Sequence, residues 1–184
     1  KLKLNLKEAK DLQKNYFYKY NTSLNGLMIH HDIKPQEFLK YVHDIDLRFM
    51  KKDIILRRAL ENLNLKKFIF TNGSKEHAKN ITTHLGINDL FNGLFDIVDA
   101  EFSPKPTAKA FDLMINKFKI NPKETLYIED IAKNLSIGKK RGAITAWVIN
   151  DEYWGKKESN NQFIDYKIEN LSLFLKEIRL LQNS

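Results

Sequence analysis

The sequence predicts an α/β fold with a doubly wound parallel sheet, preceded by a region of helices alone. Downstream of Lys67, short apolar runs alternate with segments of helical periodicity. The runs are almost continuously apolar, which is typical of strands covered on both faces, and strand–helix repetition is typical of parallel strands joined by crossovers. Upstream of Leu60 the apolar residues recur at helical spacing without a strand pattern. We therefore expect a helical region over residues 1–60 and an α/β core over residues 61–184.

The helical region is predicted to hold three segments. In the first, apolar side chains recur at the spacing that gives a helix one apolar face. Pro35 suits the first turn of the second segment, because the N–H that proline lacks is not needed there. The segments are the one marked by Leu6, Ala9, Leu12, Tyr16 and Tyr20, the one over residues 36–43, and the one over residues 54–63.

The α/β core is predicted to hold four strands. Gly86 and Gly142 mark helix ends, since glycine readily adopts the left-handed conformation that closes helices. The polar stretch 151–161 with Gly155 indicates a loop. The predicted strands are 68–70, 95–98, 126–128 and 144–149, and the predicted helices are 75–86, 107–118, one that reaches Gly142, and 171–181.

Composition and charge narrow the class of protein. A length of 184 residues suits one domain with a small insertion, and 42% hydrophobic residues exceed what a disordered chain carries. Without cysteine, disulfides and thiolate metal sites are excluded, which fits a cytoplasmic location. No apolar run is long enough to cross a membrane. Because the first residue is Lys1 rather than methionine, we expect a fragment of a longer product.

The net charge of +8 raises the question of nucleic-acid binding. The excess is mostly lysine scattered along the chain, whereas nucleic-acid-binding proteins usually cluster basic residues on one element, with arginine prominent. We therefore expect a small-molecule partner, no nucleic acid and no membrane, and a monomer or a homodimer.

Polar residues follow the predicted strands, at the sheet edge where ligands of open parallel sheets bind. The first set is the run Thr71, Asn72, Gly73 and Ser74, which follows the strand 68–70 and opens a helix. A hydroxyl, an amide and free N–H groups at a helix start suit a phosphate. The alternative is that Ser74 only caps the helix while Asn72 and Gly73 form the turn.

The second set is the acidic pair Glu129 and Asp130, directly after the strand 126–128, with Asn134 one helical turn later. Carboxylates and a side-chain amide oxygen are hard ligands that suit Mg²⁺, which also binds phosphate oxygens of a substrate. The alternative is that Asp130 is an ordinary helix N-cap.

The third feature is Lys105, which lies between Pro104 and Pro106. The two prolines restrict the backbone and so aim the ammonium, although most loop lysines are only solvated. Together the three features provide an anion cradle, a cation site and a positive charge, the parts that phosphoryl transfer needs.

Other kinds of site have less support in the sequence. His30 and His31 are adjacent and cannot share one helix face, while His77 and His84 lie on a helix explained by packing, so no histidine metal site is predicted. The chain has no Gly-rich phosphate loop, which argues against a nucleoside triphosphatase or a Rossmann dehydrogenase.

The three features match, in order, three motifs of the haloacid dehalogenase superfamily, which the chain resembles. These motifs are an apolar strand ending in Thr71, a lysine before proline at Lys105, and an apolar strand ending in Glu129 and Asp130 with Asn134. Five stretches also resemble the bacterial pyrimidine 5′-nucleotidase branch, although Asn21 and Ser23 replace a glycine and a threonine of that branch. The stretches are 20–27, 41–47, 70–74, 95–100 and 129–135.

The resemblance implies a Rossmann-like core of the haloacid dehalogenase type with an inserted helical cap. It also implies a Mg²⁺-dependent phosphomonoesterase that hydrolyses pyrimidine nucleoside 5′-monophosphates through an aspartyl-phosphate. Its site residues would be Lys105 and Thr71 for catalysis, Thr71, Asn72, Gly73 and Lys105 for phosphate binding, Asp130, Glu129 and Asn134 for the metal, and the cap residues Tyr20 and His43 for the nucleoside.

One motif of the superfamily is missing from the given residues. In that motif the first strand ends in Asp-x-Asp, whose first aspartate attacks phosphorus; the Asp44–Asp46 segment here lies in the helical region instead. By the resemblance, the missing first strand is the central one, between the strands ending at Thr71 and at Asp130. We therefore expect the given chain to be inactive. The alternatives are a phosphatase for another small metabolite and a non-catalytic basic binding module.

Overall fold

Helices occupy the chain upstream of Lys67. The structure is a computed structural model that describes residues 2–182. Its first four helices are α1 (Leu6–Tyr20), α2 (Ser23–His30), α3 (Pro35–Val42) and α4 (Ile54–Glu61). The three predicted helical segments are observed, α2 is additional, and residues 2–67 contain no strand.

Local side-chain hydrogen bonds explain where the first helices begin. At the start of α1, the Asn5 side chain accepts from the Glu8 N–H at 3.0 Å, and the Glu8 carboxylate accepts from the Asn5 N–H at 2.9 Å. This capping box satisfies N–H groups that have no partner inside the helix. α2 then packs closely on α1 at Gly26, where a Cβ atom would lie 2.3 Å from the Tyr16 ring. Only glycine permits that approach.

The strands form two parallel sheets. One pairs β1 (Phe68–Phe70) with β2 (Gly93–Phe95), and the other has the order β3 (Leu126–Glu129), β4 (Ile144–Val148), β5 (Tyr166–Ile168). Within residues 2–182 no strand pairing joins β1 to β3. Each of these two strands therefore keeps one edge without a strand partner, and all of β1 remains only half-buried.

The remaining helices cover the sheets and build the core. They are α5 (Lys75–Leu85), α6 (Ala108–Phe118), α7 (Leu135–Lys140), α8 (Tyr153–Lys156) and α9 (Leu171–Gln182). The main apolar cluster joins α6 and α7 to the strands, and its largest members are Phe95, Phe111, Tyr127, Leu135 and Trp147.

A second apolar cluster joins the end of the helical region to the last helix. Ala59 and Leu60 of α4 pack with Leu175 of α9. Helix α4 therefore buries its apolar face against an element of the α/β part. The boundary between residues 60 and 61 stays a prediction.

Parallel strands alternating with helices confirm the predicted α/β class, with three local corrections. β2 ends at Phe95, so the predicted strand 95–98 was placed too late; the Asp96 side chain accepts from the N–H groups of Val98 and Asp99 and forms a turn there. The predicted loop 151–161 contains the short helix α8, and β5 was not predicted. Among residues 2–182, no helix is both long and apolar enough to cross a membrane.

Candidate functional site

The loop from Thr71 to Ser74 lies at the carboxyl end of β1 and leads into α5. Thr71 Oγ1 accepts a hydrogen bond from the Gly73 N–H at 2.9 Å, and Ser74 Oγ accepts from the His77 N–H at 3.3 Å as the helix cap. Within residues 2–182, the N–H groups of Asn72 and Ser74 have no hydrogen-bond acceptor. Free N–H groups and a helix start give the loop a positive potential that suits an anion.

Lys105 lies between this loop and the end of β3. Its ammonium donates to the carbonyl oxygen of Phe70 at 2.8 Å and forms an ion pair with Glu129, while its backbone N–H donates to Asn72 Oδ1 at 2.8 Å. Both charged side chains are buried. Since a buried charge is tolerated only when it is paired and hydrogen-bonded, these contacts fix the ammonium between two strand ends.

Glu129 receives hydrogen bonds from three side chains. Its Oε1 accepts from the Lys105 ammonium and, at 3.1 Å, from the Tyr127 hydroxyl, and its Oε2 accepts from the Asn134 amide at 3.4 Å. Burial, followed by the charge of Glu129, raises the pKa of Tyr127 well above its ordinary value, so the hydroxyl remains a donor. The lone pairs of Glu129 thus face protein donors, and its role as a metal ligand stays a prediction.

Asp130 has a different environment from its neighbour. Its side chain is open to solvent, and its backbone carbonyl is held by Trp147 Nε1 at 2.9 Å and by the Asn150 amide at 2.7 Å. Although the residue is exposed, the protein around it removes part of the water near its carboxyl, and this desolvation, then the charge of Glu129, raises the pKa of the Asp130 carboxyl. A bound cation would offset both effects, so this carboxylate fits Mg²⁺, which often binds through one or two protein carboxylates. Residues 2–182 contain no cluster of three acidic, histidine or cysteine side chains suited to a metal.

The two cap residues predicted for substrate binding lie in different places. His43 lies against the loop, with its Nδ1 atom 2.9 Å from Ser74 Oγ and its ring stacked on His77 at 4.1 Å between centroids. The hydroxyl of Tyr20 is hydrogen-bonded to Nε2 of His30, between α1 and α2. The structure therefore brings His43 to the loop and directs Tyr20 elsewhere.

Some residues near the site were not predicted from the sequence. Lys133 donates to Asn21 Oδ1 at 2.9 Å, which ties the end of α1 to the segment after Asp130. His77 was attributed to packing, although its position at the start of α5, three residues after Ser74, was a signal that it could reach the loop. The recess beside Lys133 is lined by Phe17, Tyr18, Asn21, Ile131, Lys133, Asn134, Trp154 and Lys157.

Comparison with known protein families shows which family the chain matches. The family model described as haloacid dehalogenase-like hydrolase matches residues 10–142, more than half of the chain. The chain belongs to the haloacid dehalogenase-like hydrolase family. The match covers the loop at Thr71, the buried Lys105 and the acidic pair, so the predicted family is confirmed.

Curated relatives of this haloacid dehalogenase-like chain include enzymes named as phosphatases. The chain is 34% identical over 122 residues to phosphate metabolism protein 8 of Saccharomyces cerevisiae, covering 57% of this chain and 37% of that protein. It is 26% identical over 91 residues to an enolase-phosphatase of Shewanella pealeana, covering 48% of this chain and 39% of that protein. The chain thus spans less than two fifths of the length of these relatives.

Solved structures of haloacid dehalogenase-like proteins share the fold. A phosphatase of this family from Thermococcus onnurineus aligns with a TM-score of 0.59 and 20% identity over 96% of this chain and 80% of that chain. A putative family hydrolase of Bacillus subtilis, bound to magnesium, aligns with a TM-score of 0.59 and 16% identity over 98% of this chain and 84% of that chain. At such identities the likeness concerns the fold alone.

Proposed function

We propose that the chain belongs to a Mg²⁺-dependent phosphomonoesterase, with a helical cap over residues 1–60 and a phosphatase core over residues 61–184. The observation that carries the proposal is the buried ammonium of Lys105, held between the loop that follows β1 and Glu129 at the end of β3. A fixed cation between an anion-binding loop and an acidic strand end is the arrangement that stabilises a phosphoryl group during transfer.

The loop after β1 would hold the phosphate. The N–H groups of Asn72 and Ser74 and the hydroxyl of Thr71 would donate to phosphoryl oxygens, and Gly73 places no side chain between Thr71 Oγ1 and the His43 ring. Lys105 would neutralise both the phosphate and the attacking carboxylate. The groups are oriented before substrate binds, so little reorganisation is needed when charge develops.

The acidic strand end would hold the cation. Asp130 would supply an anionic oxygen, supported by Asn134, with Glu129 orienting Lys105 and assisting the cation site. A bound Mg²⁺ would supply charge neutralisation of the phosphoryl oxygens. The raised pKa of the Asp130 carboxyl supports this role, because desolvation and the charge of Glu129 outweigh the opposing charge of Lys105, and a bound cation would stabilise the ionised carboxylate.

The nucleophile would come from outside these 184 residues. Within residues 2–182 no strand is followed by Asp-x-Asp, since the five strands end at Phe70, Phe95, Glu129, Val148 and Ile168. The unpaired edges of β1 and β3 support a central parallel strand between them, ending in the missing Asp-x-Asp. A carboxylate at the end of such a strand would lie beside Lys105 and Asp130.

The proposed substrates are pyrimidine nucleoside 5′-monophosphates. Support comes from the sequence likeness to that branch and from the aromatic side chains Phe17, Tyr18 and Trp154, which line the recess beside Lys133. Tyr20 is retained as a predicted nucleoside contact. A cytoplasmic location and a monomeric or homodimeric state remain predictions. The second candidate, a phosphatase for another small metabolite, is favoured by the enolase-phosphatase names among the relatives.

Phosphate release from uridine and cytidine 5′-monophosphates by a version of the protein extended with the proposed Asp-x-Asp strand, with and without Mg²⁺, tests the function. We expect Lys105→Ala and Asp130→Asn to lower kcat by about a hundredfold or more, because each removes a preorganised charge. Lys105→Arg should also be impaired, since a planar guanidinium does not replace a compact ammonium. Lys109→Ala, which loses only an exposed ion pair to Glu101, is the matched control.

Each result separates the candidates. Unchanged kinetics in Lys105→Ala or Asp130→Asn would contradict the assigned roles. Faster release from other phosphorylated metabolites than from the two nucleotides would favour the second candidate. If no phosphate ester releases phosphate, the remaining hypothesis is a non-catalytic basic binding module.

A further inference from the structure

The ring of His43 connects the end of α3 to the phosphate loop. His43 follows Val42 as the C-cap of α3, and its Nδ1 atom lies 2.9 Å from Ser74 Oγ. One face of the ring stacks on His77 with an interplanar angle of 10°. The ring is therefore held by a hydrogen bond at one nitrogen and by stacking over its face, which leaves the other nitrogen to contact a ligand.

The free nitrogen lies above the open part of the loop. A Cβ atom on Gly73 would be 3.5 Å from Nε2 and from Cε1 of His43, and 3.3 Å from Thr71 Oγ1. The imidazole nitrogen and the hydroxyl therefore border the same small space, which only the absence of a side chain at residue 73 keeps open. The Ser74 N–H, which lacks an acceptor within residues 2–182, belongs to the next residue of the same loop.

The direction of the hydrogen bond between Ser74 and His43 decides which nitrogen of His43 carries the proton, because a hydroxyl can either donate to Nδ1 or accept from it. Ser74 Oγ accepts from the His77 N–H as the helix cap, so its own proton is available for donation. Donation to Nδ1 of His43 places the imidazole proton on Nε2. In that tautomer Nε2 is a donor, as an anion above Gly73 requires.

We propose that His43 is an additional phosphate-binding residue, which donates from Nε2 to an oxygen of the bound phosphoryl group and so ties the helical cap to the loop. This inference rests on the proposed function, because it places the same anion at the same loop. It assigns His43 to the phosphate rather than to the nucleoside.

The surrounding charges predict how this contact depends on pH. The titratable groups that act on the ring are His77 and Glu76, both on α5. Burial, then His77, lowers the pKa of His43 below its ordinary value of 6.5, while Glu76 opposes the shift. A bound anion above the loop would stabilise the imidazolium, so anion binding is coupled to uptake of a proton. The affinity for an anion of constant charge therefore rises as the pH falls from 6.5 through the pKa of His43.

Sulfate binding to the 184-residue protein tests the inference, because sulfate remains a dianion throughout the relevant pH range. We expect His43→Phe, which keeps a stacking ring and loses both nitrogens, to weaken sulfate binding by about tenfold, and more at low pH. His43→Gln keeps a neutral donor, so it should retain part of the affinity and lose the pH dependence. His84→Phe, an exposed position near the far end of α5, is the control and should match the unmutated protein.

The outcomes separate this inference from the proposed function. Equal sulfate affinity in His43→Phe and the unmutated protein, or no sulfate binding by either, overturns the role of His43. If Lys105→Ala weakens sulfate binding and His43→Phe does not, the phosphate site stands without His43. If both weaken it while the version extended with the proposed strand releases no phosphate from any ester, the phosphatase proposal fails and the anion contact of His43 stands.

Discussion

Lys105 and Glu129 are the buried charges around which the candidate site is arranged. Each is nearly inaccessible to solvent, so their mutual attraction is screened less than that of a surface pair. Each charge also makes hydrogen bonds with neutral groups. Lys105 donates to the Phe70 carbonyl oxygen, and Glu129 accepts from the Tyr127 hydroxyl and the Asn134 amide. Those additional bonds offset the cost of removing two charges from water.

We expect Lys105→Met to lower the free energy of unfolding by about 3–5 kcal/mol, because Glu129 would remain buried without its counter-ion. Adding Glu129→Gln should recover about 2 kcal/mol, since the double variant buries no unpaired charge. Urea unfolding of the two single variants and the double variant measures the coupling. Lys109→Met, whose partner Glu101 is exposed, should be nearly neutral. A loss below about 1 kcal/mol in Lys105→Met would show that the pair behaves as a surface ion pair.

The residues after the strands could be predicted from the sequence, but their pairing could not. Thr71, Lys105 and Asp130 were predicted as site residues because parallel strands present their carboxyl ends at one edge of the sheet, and their roles stay predictions. The ion pair of Lys105 with Glu129 and the stack of His43 on His77 join residues far apart in the chain. Such contacts depend on the packing of whole elements, which local spacing does not specify.

At the scale of elements, Gly138 sets how closely α7 approaches β3. A Cβ atom there would lie 2.5 Å from Cδ1 of Tyr127, whose hydroxyl binds Glu129. Gly138→Ala would add about 1 kcal/mol of helix propensity. The clash with a buried ring in the main core should outweigh that gain and lower the free energy of unfolding by about 1–3 kcal/mol.

Urea unfolding of Gly138→Ala beside Lys140→Ala measures this effect. Lys140 is exposed at the last turn of α7, so its replacement should change stability little. Equal or greater stability of Gly138→Ala would show that the Tyr127 ring relaxes without cost.

Long periodic elements were predicted more accurately than short ones. The helix over 75–86 ends as predicted, because Gly86 adopts a left-handed conformation with φ of 74°. β2 was misplaced because the apolar residues Ile97 and Val98 lie just beyond Phe95, while the Asp96 side chain already turns the backbone. β5 carries Tyr166, Lys167 and Ile168, too short a pattern to be distinguished from a loop.

At the scale of the whole molecule, the stacked histidines predict a stability change in mild acid. Burial lowers the pKa of both His43 and His77 below 6.5, and the charge of His77 adds to the effect on His43. Below pH 6.5 the unfolded chain therefore binds protons that the folded chain resists. The stabilisation is present above pH 6.5 and is lost as the pH falls towards the folded-state pKa values.

His77→Phe should make the free energy of unfolding less dependent on pH between about 7 and about 5, because one of the two groups no longer titrates. Urea unfolding at several pH values provides the slope, with His84→Phe as the control at an exposed position of the same helix. A slope as steep in His77→Phe as in the unmutated protein would mean that acid destabilisation arises elsewhere in the chain.

The division of the strands into two sheets bears on whether the 184-residue protein can turn over phosphate esters. The free edges of β1 and β3 lie near Lys105, whose ammonium pairs with Glu129, and that carboxylate is already hydrogen-bonded by Tyr127 and Asn134. We expect the 184-residue protein to bind anions and to release no phosphate from uridine or cytidine 5′-monophosphate with Mg²⁺. Removal of a covalent nucleophile typically costs several orders of magnitude in rate even when the surrounding charges remain. Assays of this chain beside a version extended by a strand that ends in Asp-x-Asp test the prediction, and comparable turnover by the two would place the nucleophile within the 184 residues.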